Sequence, residues 1–169
     1  MDGVLDRLLQ LSYLMLPAYA ANMAPPFVKY WRGWNRPIAA RHLGHHKTVV
    51  GFAAGVCAGV GAAFVQSRIA WTGGLAGHDD WLPIGLRLGI GAMAGDSAKS
   101  FAKRRLGIPP GAPWVPFDQL DFVAGALVLL ANRVPLSILD YGLILALSAG
   151  GHIAVNHVAY GLGIRDTRW

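Results

Sequence analysis

Glutamate is absent from this 169-residue sequence; all nine acidic residues are Asp, set against fifteen Lys and Arg. Charge of either sign is scarce, at 14% of residues where a soluble domain carries about a quarter. The chain therefore lacks the polar surface to cover a globule in water, which excludes a soluble enzyme. The single cysteine, Cys57, rules out an internal disulfide framework and any cysteine-based zinc site, and its apolar neighbours leave it a packing role. No long linker, low-complexity tract, internal repeat or second domain interrupts the chain, so residues 1–169 read as one domain.

Apolar residues make up 54% of the chain, and the mean hydropathy is +0.39. A bilayer core of about 30 Å needs roughly 20 helical residues per crossing, and five runs approach that length, near 8–27, 48–66, 81–98, 120–131 and 137–160. The fold class expected is all-α: an integral membrane protein of about five transmembrane helices. The third run contains Arg87, and the fourth is short unless Asp118 and Asp121 belong to its helix. Ala18-Tyr19-Ala20 resembles a signal-peptide cleavage site, but Asp2 and Asp6 beside a lone Arg7 are the wrong charge for the segment preceding one.

The net charge of +6 gathers in short segments between the apolar runs, a membrane pattern, so no nucleic-acid partner is expected. Eleven Lys and Arg fall on one side of the five runs and three on the other. The larger group comprises Lys29, Arg32, Arg36, Arg41 and Lys47, then Lys99, Lys103, Arg104 and Arg105, then Arg165 and Arg168. The positive-inside rule then puts the N-terminus outside and the C-terminus in the cytoplasm. Gly51, Gly55 and Gly59, with the pairs Gly85/Gly89 and Gly91/Gly95, recur every four residues and read as close helix-packing faces. A phosphate-binding glycine loop would need a preceding strand, which is missing.

Chemistry concentrates in residues 95–121. Lys99 and Lys103 lie four apart on one helical face, and Arg104 and Arg105 extend that cationic surface, which suits a polyphosphate or simply enforces topology. A proline-rich stretch, 108–117, leads into Asp118 and Asp121. Three residues apart at a helix start, these two carboxylates share a face and offer the paired hard oxygens that Mg²⁺ requires; Asp118 as a plain helix N-cap is the simpler alternative, but it leaves Asp121 unexplained. On the same side, Asn22 sits in a proline-broken helix end, and Lys47 and Thr48 stand at a helix N-terminus that favours anions.

These residues resemble a known family. Asn22 within Pro-Ala-Tyr-Ala-Ala-Asn-Met-Ala-Pro, Lys47 within Gly-His-His-Lys-Thr-Val-Val-Gly, the Gly-Asp-Ser-Ala-Lys-Ser-Phe-Ala-Lys-Arg-Arg stretch at 95–105 and Asp-Gln-Leu-Asp at 118–121 are similar to CDP-archaeol synthases. These in turn are similar to phosphatidate cytidylyltransferases. The resemblance implies a multi-pass enzyme of the cell membrane, with its site at the cytoplasmic face, that joins CTP to a lipid phosphate with Mg²⁺ and releases pyrophosphate. It implies catalytic roles for Asp96, Asp118, Asp121 and Lys99, with Asp118, Asp121 and Asp96 as metal ligands or, for Asp96, a neighbour of the ligands. Asn22, Lys47, Thr48, Ser100, Lys103, Arg104 and Arg105 become the substrate-binding residues. CTP, a lipid phosphate and membrane lipids are the partners, and a homodimer is compatible with the sequence. The broader signature carries Arg where this chain has Gln119, so a phosphate contact from that position would pass to Arg104, Arg105 or Lys99.

Other residues read more simply. His42, His45 and His46 lack acidic or thiol neighbours and read as solvated loop histidines rather than a metal site. His152, Asn156 and His157 mark an interhelical hydrogen bond or the lining of the site. Arg87 and Asp140 are expected to pair with each other or to reach for water. Trp31, Trp34, Trp81 and Trp114 suit a membrane aromatic belt. A small transporter, an acyl-lipid phosphatidate cytidylyltransferase and a CDP-alcohol phosphotransferase are the competing functions. The transporter should concentrate its charge within the runs, and the phosphotransferase needs an Asp-Gly start that is missing here.

Overall fold

The computed structural model describes residues 2–28, 31, 33–109 and 112–161. Each apolar run becomes a helix: α1 (Asp2–Met23), then the single turn α2 (Ala40–Leu43), α3 (Val49–Ile69), α4 (Trp81–Arg105), α5 (Phe117–Leu130) and α6 (Ile138–Gly161). Among the described residues no strand forms, and one isolated antiparallel bridge joins Pro37 to Thr48. α1 stops at Met23 because Pro25 and Pro26 follow and turn the chain into a 3₁₀ segment. α3 starts at Thr48, whose Oγ1 accepts from the Gly51 N–H at 3.1 Å. α5 includes both Asp118 and Asp121.

Two of these helices, at Val49–Ile69 and Ile138–Val155, are long and apolar enough to cross a membrane by length and composition. The five-span expectation is therefore only partly met by that measure. α5 has 14 residues, about 21 Å of helix, shorter than the hydrocarbon core. α4 is long but carries Arg87 and Asp96 along its length and ends in Lys103, Arg104 and Arg105. Lys29, Arg32, Arg165 and Arg168, which entered the charge count, lie outside the described residues.

α1 packs against α3, α4 and α6, while α4 lies between α3 and α5. The core joins Leu11, Met15, Ala18 and Ala21 of α1 to Leu88 and Ala92 of α4, Phe122, Val123, Ala126 and Leu130 of α5, and Ile144 of α6. The cleavage-like alanine stretch thus belongs to a core helix. Pro17 sits inside α1 and cannot donate to the Tyr13 carbonyl one turn back. Gln66 of α3 supplies the missing donor, with Nε2 2.5 Å from Tyr13 O, and the Tyr13 hydroxyl returns a bond to Gln66 O at 3.2 Å. The proline costs the helix little because a neighbouring helix re-satisfies its backbone.

The glycine faces do pack. Gly59 of α3 lies against Gly89 of α4, where an added Cβ would stand 3.0 Å from the Gly89 Cα. Between α4 and α5 the approach is closer: a Cβ on Gly95 would fall 2.1 Å from Asp121 O, and one on Gly125 would fall 2.2 Å from Gly91 O. Only hydrogen fits there. Cys57, in contrast, is exposed on α3 and does not pack in the core, because the buried face of that helix is the Gly51/Gly55/Gly59/Ala63 stripe.

Asp140 does not pair with Arg87. Arg7 of α1 makes a two-pronged contact with it, Nε to Oδ1 at 2.8 Å and Nη2 to Oδ2 at 2.6 Å, and Ser137 N–H and Oγ also donate to Oδ2. The N-terminal ends of α1 and α6 lie side by side, so Arg7 reaches a carboxylate that is 5% exposed. Arg87 instead donates to the Leu129 carbonyl at 3.0 Å.

Two predictions follow from this packing. Gly95→Ala should separate α4 from α5 and lower stability by about 1–3 kcal/mol, read as a reduced melting temperature in detergent. Arg7→Ala should lower the melting temperature clearly more than Arg87→Ala, since it strands a buried carboxylate while the other exposes one carbonyl; equal effects would contradict the clamp.

Candidate active site

At the end of the bundle where α1 and α4 finish and α3 and α5 begin, six charged side chains meet. α4 contributes Asp96, Lys99 and Lys103, whose offsets of three and four residues place them on one face. Asp118 and Asp121 come from the first turns of α5, and Lys47 from just before the cap of α3. The glycine contact between α4 and α5 brings these sets within reach, because Gly95 is next to Asp96 and touches the Asp121 backbone.

Lys99 stands at the centre. Its Nζ lies 2.7 Å from Asp121, 3.3 Å from Asp118 and 3.4 Å from Asp96. Asp96 also binds Lys47. Lys103 reaches both oxygens of Asp118, at 3.1 and 3.2 Å, and donates to the Ala112 carbonyl at 2.5 Å. The Asp121 side chain is 5% exposed and that of Lys103 is 9% exposed. Charges this poorly hydrated persist only in pairs, and three carboxylates facing three ammonium groups give a balanced set.

Asp118 is not the cap of α5. Pro116 holds that position, and the Asp118 carboxylate instead accepts from the Trp114 N–H at 2.5 Å. Lys103 and Asp118 thereby staple the proline-rich connection onto both helices. The two backbone groups involved, Ala112 O and Trp114 N, carry no side-chain signature and are invisible to motif reading.

The remaining candidates surround this core. Asn22, Lys47, Thr48 and Asp96 line a cavity of about 700 Å³ together with His45, His46 and Asn35. A smaller cavity of about 180 Å³ is lined by Lys99, Ser100, Lys103 and Arg104, and it shares Lys47 and His46 with the larger one. Thr48 Oγ1 is engaged in capping, and Ser100 Oγ donates to Asp96 O at 2.9 Å, so both hydroxyls already serve the helix backbone. Arg105 is exposed and lies over the Phe101 ring at 5.2 Å, in a separate groove with Arg41, His42 and Arg104. The histidine pair His45 and His46, read as solvated, is exposed yet forms cavity wall. Gln119 is buried with Phe122 and Val123 on the core face of α5. His152 is half-buried and His157 exposed, its Nδ1 2.9 Å from the Ile153 carbonyl; the Asn156 side chain lies outside the described set.

Among the described residues, no three acidic, histidine or cysteine side chains stand at ligand spacing around one ion. Asp96, Asp118 and Asp121 are instead drawn around an ammonium group. Their donor set of three carboxylates, free of nitrogen and sulfur, matches the chemistry of a hard oxygen-seeking cation.

Comparison with known proteins places this geometry in context. A family model described as CarS-like CDP-archaeol synthase matches residues 4–169. The chain is 36% identical to the CDP-archaeol synthase of Aeropyrum pernix, covering 99% of this chain and 96% of the relative. It is 35% identical to that of Sulfolobus acidocaldarius, over 98% and 100%. A solved structure described as an intramembrane enzyme for archaeal membrane lipids biosynthesis is similar with a TM-score of 0.68 and 34% identity, over 88% of this chain and 94% of that one.

Lys103→Ala should release the 107–116 connection, observed as faster hydrogen exchange of the Trp114 amide and a lower melting temperature. Unchanged exchange would show that the staple holds nothing.

Proposed function

The chain belongs to the CDP-archaeol synthase family, and from that premise we propose that it transfers the cytidylyl group of CTP to an archaeol-type lipid phosphate. It is a helical membrane enzyme. The observation that carries the site assignment is the meeting of Asp96, Asp118 and Asp121 around Lys99 at one end of the bundle. In this reading all five long helices cross or enter the bilayer with the N-terminus outside, so that the charged end faces the cytoplasm and its nucleotides.

A phosphate oxygen of the lipid attacks the α-phosphorus of CTP in line. One P–O bond forms as the bond to the departing pyrophosphate breaks. The nucleophile is already anionic at neutral pH, so the site has no need of a strong base; alignment and charge neutralisation do the work. Lys99, Lys103 and Arg104 line the cavity suited to the triphosphate, and Lys47 stands where that cavity meets the larger one. Ammonium groups fixed in advance beside the phosphates cost no reorganisation as charge moves to the leaving group. Arg105 extends the basic surface at the approach to the site. Asn22 and Thr48 border the substrate cavity, and the Ser100 hydroxyl keeps the α4 backbone beside Asp96 in register. Asp96, Asp118 and Asp121 would hold Mg²⁺, which when bound offsets negative charge on phosphate oxygens.

Asp118→Asn and Asp121→Asn should each lower CTP-dependent CDP-lipid formation in detergent by about a hundredfold or more with the fold retained. Near-normal turnover of a radiolabelled-CTP assay by either variant would defeat the metal assignment.

A further inference from the structure

Lys47, Lys99 and Lys103 each face a carboxylate, but the cationic side chains beyond them do not. Arg41 and His42 of α2 and Arg104 and Arg105 of α4 line a groove of about 340 Å³ together with Phe101. None of these four has an ion-pair partner among the described residues. Phe101 links the two elements, with the Arg105 guanidinium 5.2 Å and the His42 ring 6.2 Å from its own ring. Like charges on facing elements push α2 off α4, and an anion seated between them turns that repulsion into attraction to both.

The surroundings select the anion. Phe101 and Arg105 each lie two residues from Lys103, so they point away from the face of α4 that carries Asp96, Lys99 and Lys103. The groove therefore stands apart from the reacting carboxylates. Ile90, Ala94, Phe101 and Arg105 follow one another at offsets of four, seven and four, which is a single helical face, and all four are exposed. A cationic groove at the end of an exposed apolar track matches an amphiphile, with its phosphate in the groove and its hydrocarbon along the helix. A soluble nucleotide has nothing to lay on that track. Arginines at the depth of the headgroups attract anionic lipid.

We propose that this groove holds the phosphate headgroup of an anionic membrane lipid, a phosphodiester that is not a substrate, and that the headgroup clamps α2 onto α4. This rests on the reading that the charged end of the bundle lies at a membrane face. The clamp reaches the reaction site through α2. Leu43 and Gly44, next along the chain from Arg41 and His42, line the cavity of about 180 Å³ with Lys99 and Lys103. α2 is a single turn without a side-chain cap at its start, so its packing on α4 is what holds that wall in place.

The test is hydrogen exchange of the purified protein in nanodiscs of phosphatidylcholine alone and of equal parts phosphatidylcholine and phosphatidylglycerol. It compares wild type, Arg41→Gln and, as a control at the far end of α3, Arg68→Gln. The His42, Leu43 and Gly44 amides donate to the Ala39 and Ala40 carbonyls. In wild type and Arg68→Gln they should exchange about threefold or more slower in the anionic discs, and in Arg41→Gln equally fast in both. Native mass spectrometry gives a readout that does not depend on α2 staying folded: wild type should retain a phosphatidylglycerol that the Arg41→Gln/Arg105→Gln double variant loses. Equal exchange of wild type in both discs, or protection that survives in Arg41→Gln, overturns the proposal. Protection by inorganic phosphate alone in neutral discs would assign the groove to a soluble anion and overturns it too. So does a raised KM for the lipid phosphate in Arg41→Gln in neutral discs, which would put the groove on the path of the substrate. Exchange and lipid retention do not use turnover: if wild type forms no CDP-lipid from CTP, the cytidylyltransferase reading falls while these two measurements still decide the groove.

Discussion

Everything at the charged end of this protein depends on how closely α4 and α5 approach. Their backbones meet at Gly91, Gly95 and Gly125, where a single added carbon would stand within 2.5 Å of a carbonyl oxygen. That contact sets Asp96 and Lys99 against Asp121, which belong to different helices and would otherwise be separated by side chains. In lipid, association of helices draws little on the hydrophobic effect and relies on such backbone proximity.

A second constraint is that charge taken out of water must be answered by charge. Around Lys99 the structure answers three carboxylates with three ammonium groups, and at the opposite end Arg7 answers Asp140. The two clusters differ in consequence. Arg7 and Asp140 form a closed pair further satisfied by Ser137, which is a structural clamp. The Lys99 cluster instead borders two cavities, so its charges are reachable from outside the bundle.

How much of this was legible depends on range. The helices could be read because apolar runs of membrane length have few alternatives, and Asp118 with Asp121 could be read because a spacing of three on a helix places them together. Arg7 could not be matched to Asp140, since they are 133 residues apart and nothing local distinguishes Arg7 from Arg87 as the partner. Cys57 looked like core because its neighbours are apolar, but in a membrane helix the apolar surface also faces outward.

The sequence by itself determined the all-helical character, the segregation of basic residues and the carboxylates and lysines of the site, because hydropathy, helical periodicity and local spacing are properties of short stretches of chain. The tertiary structure alone decided which lysine faces which aspartate and which cations stand apart from the cluster. Those outcomes follow from where helix backbones cross, and a crossing is set by contacts between residues far apart in the chain.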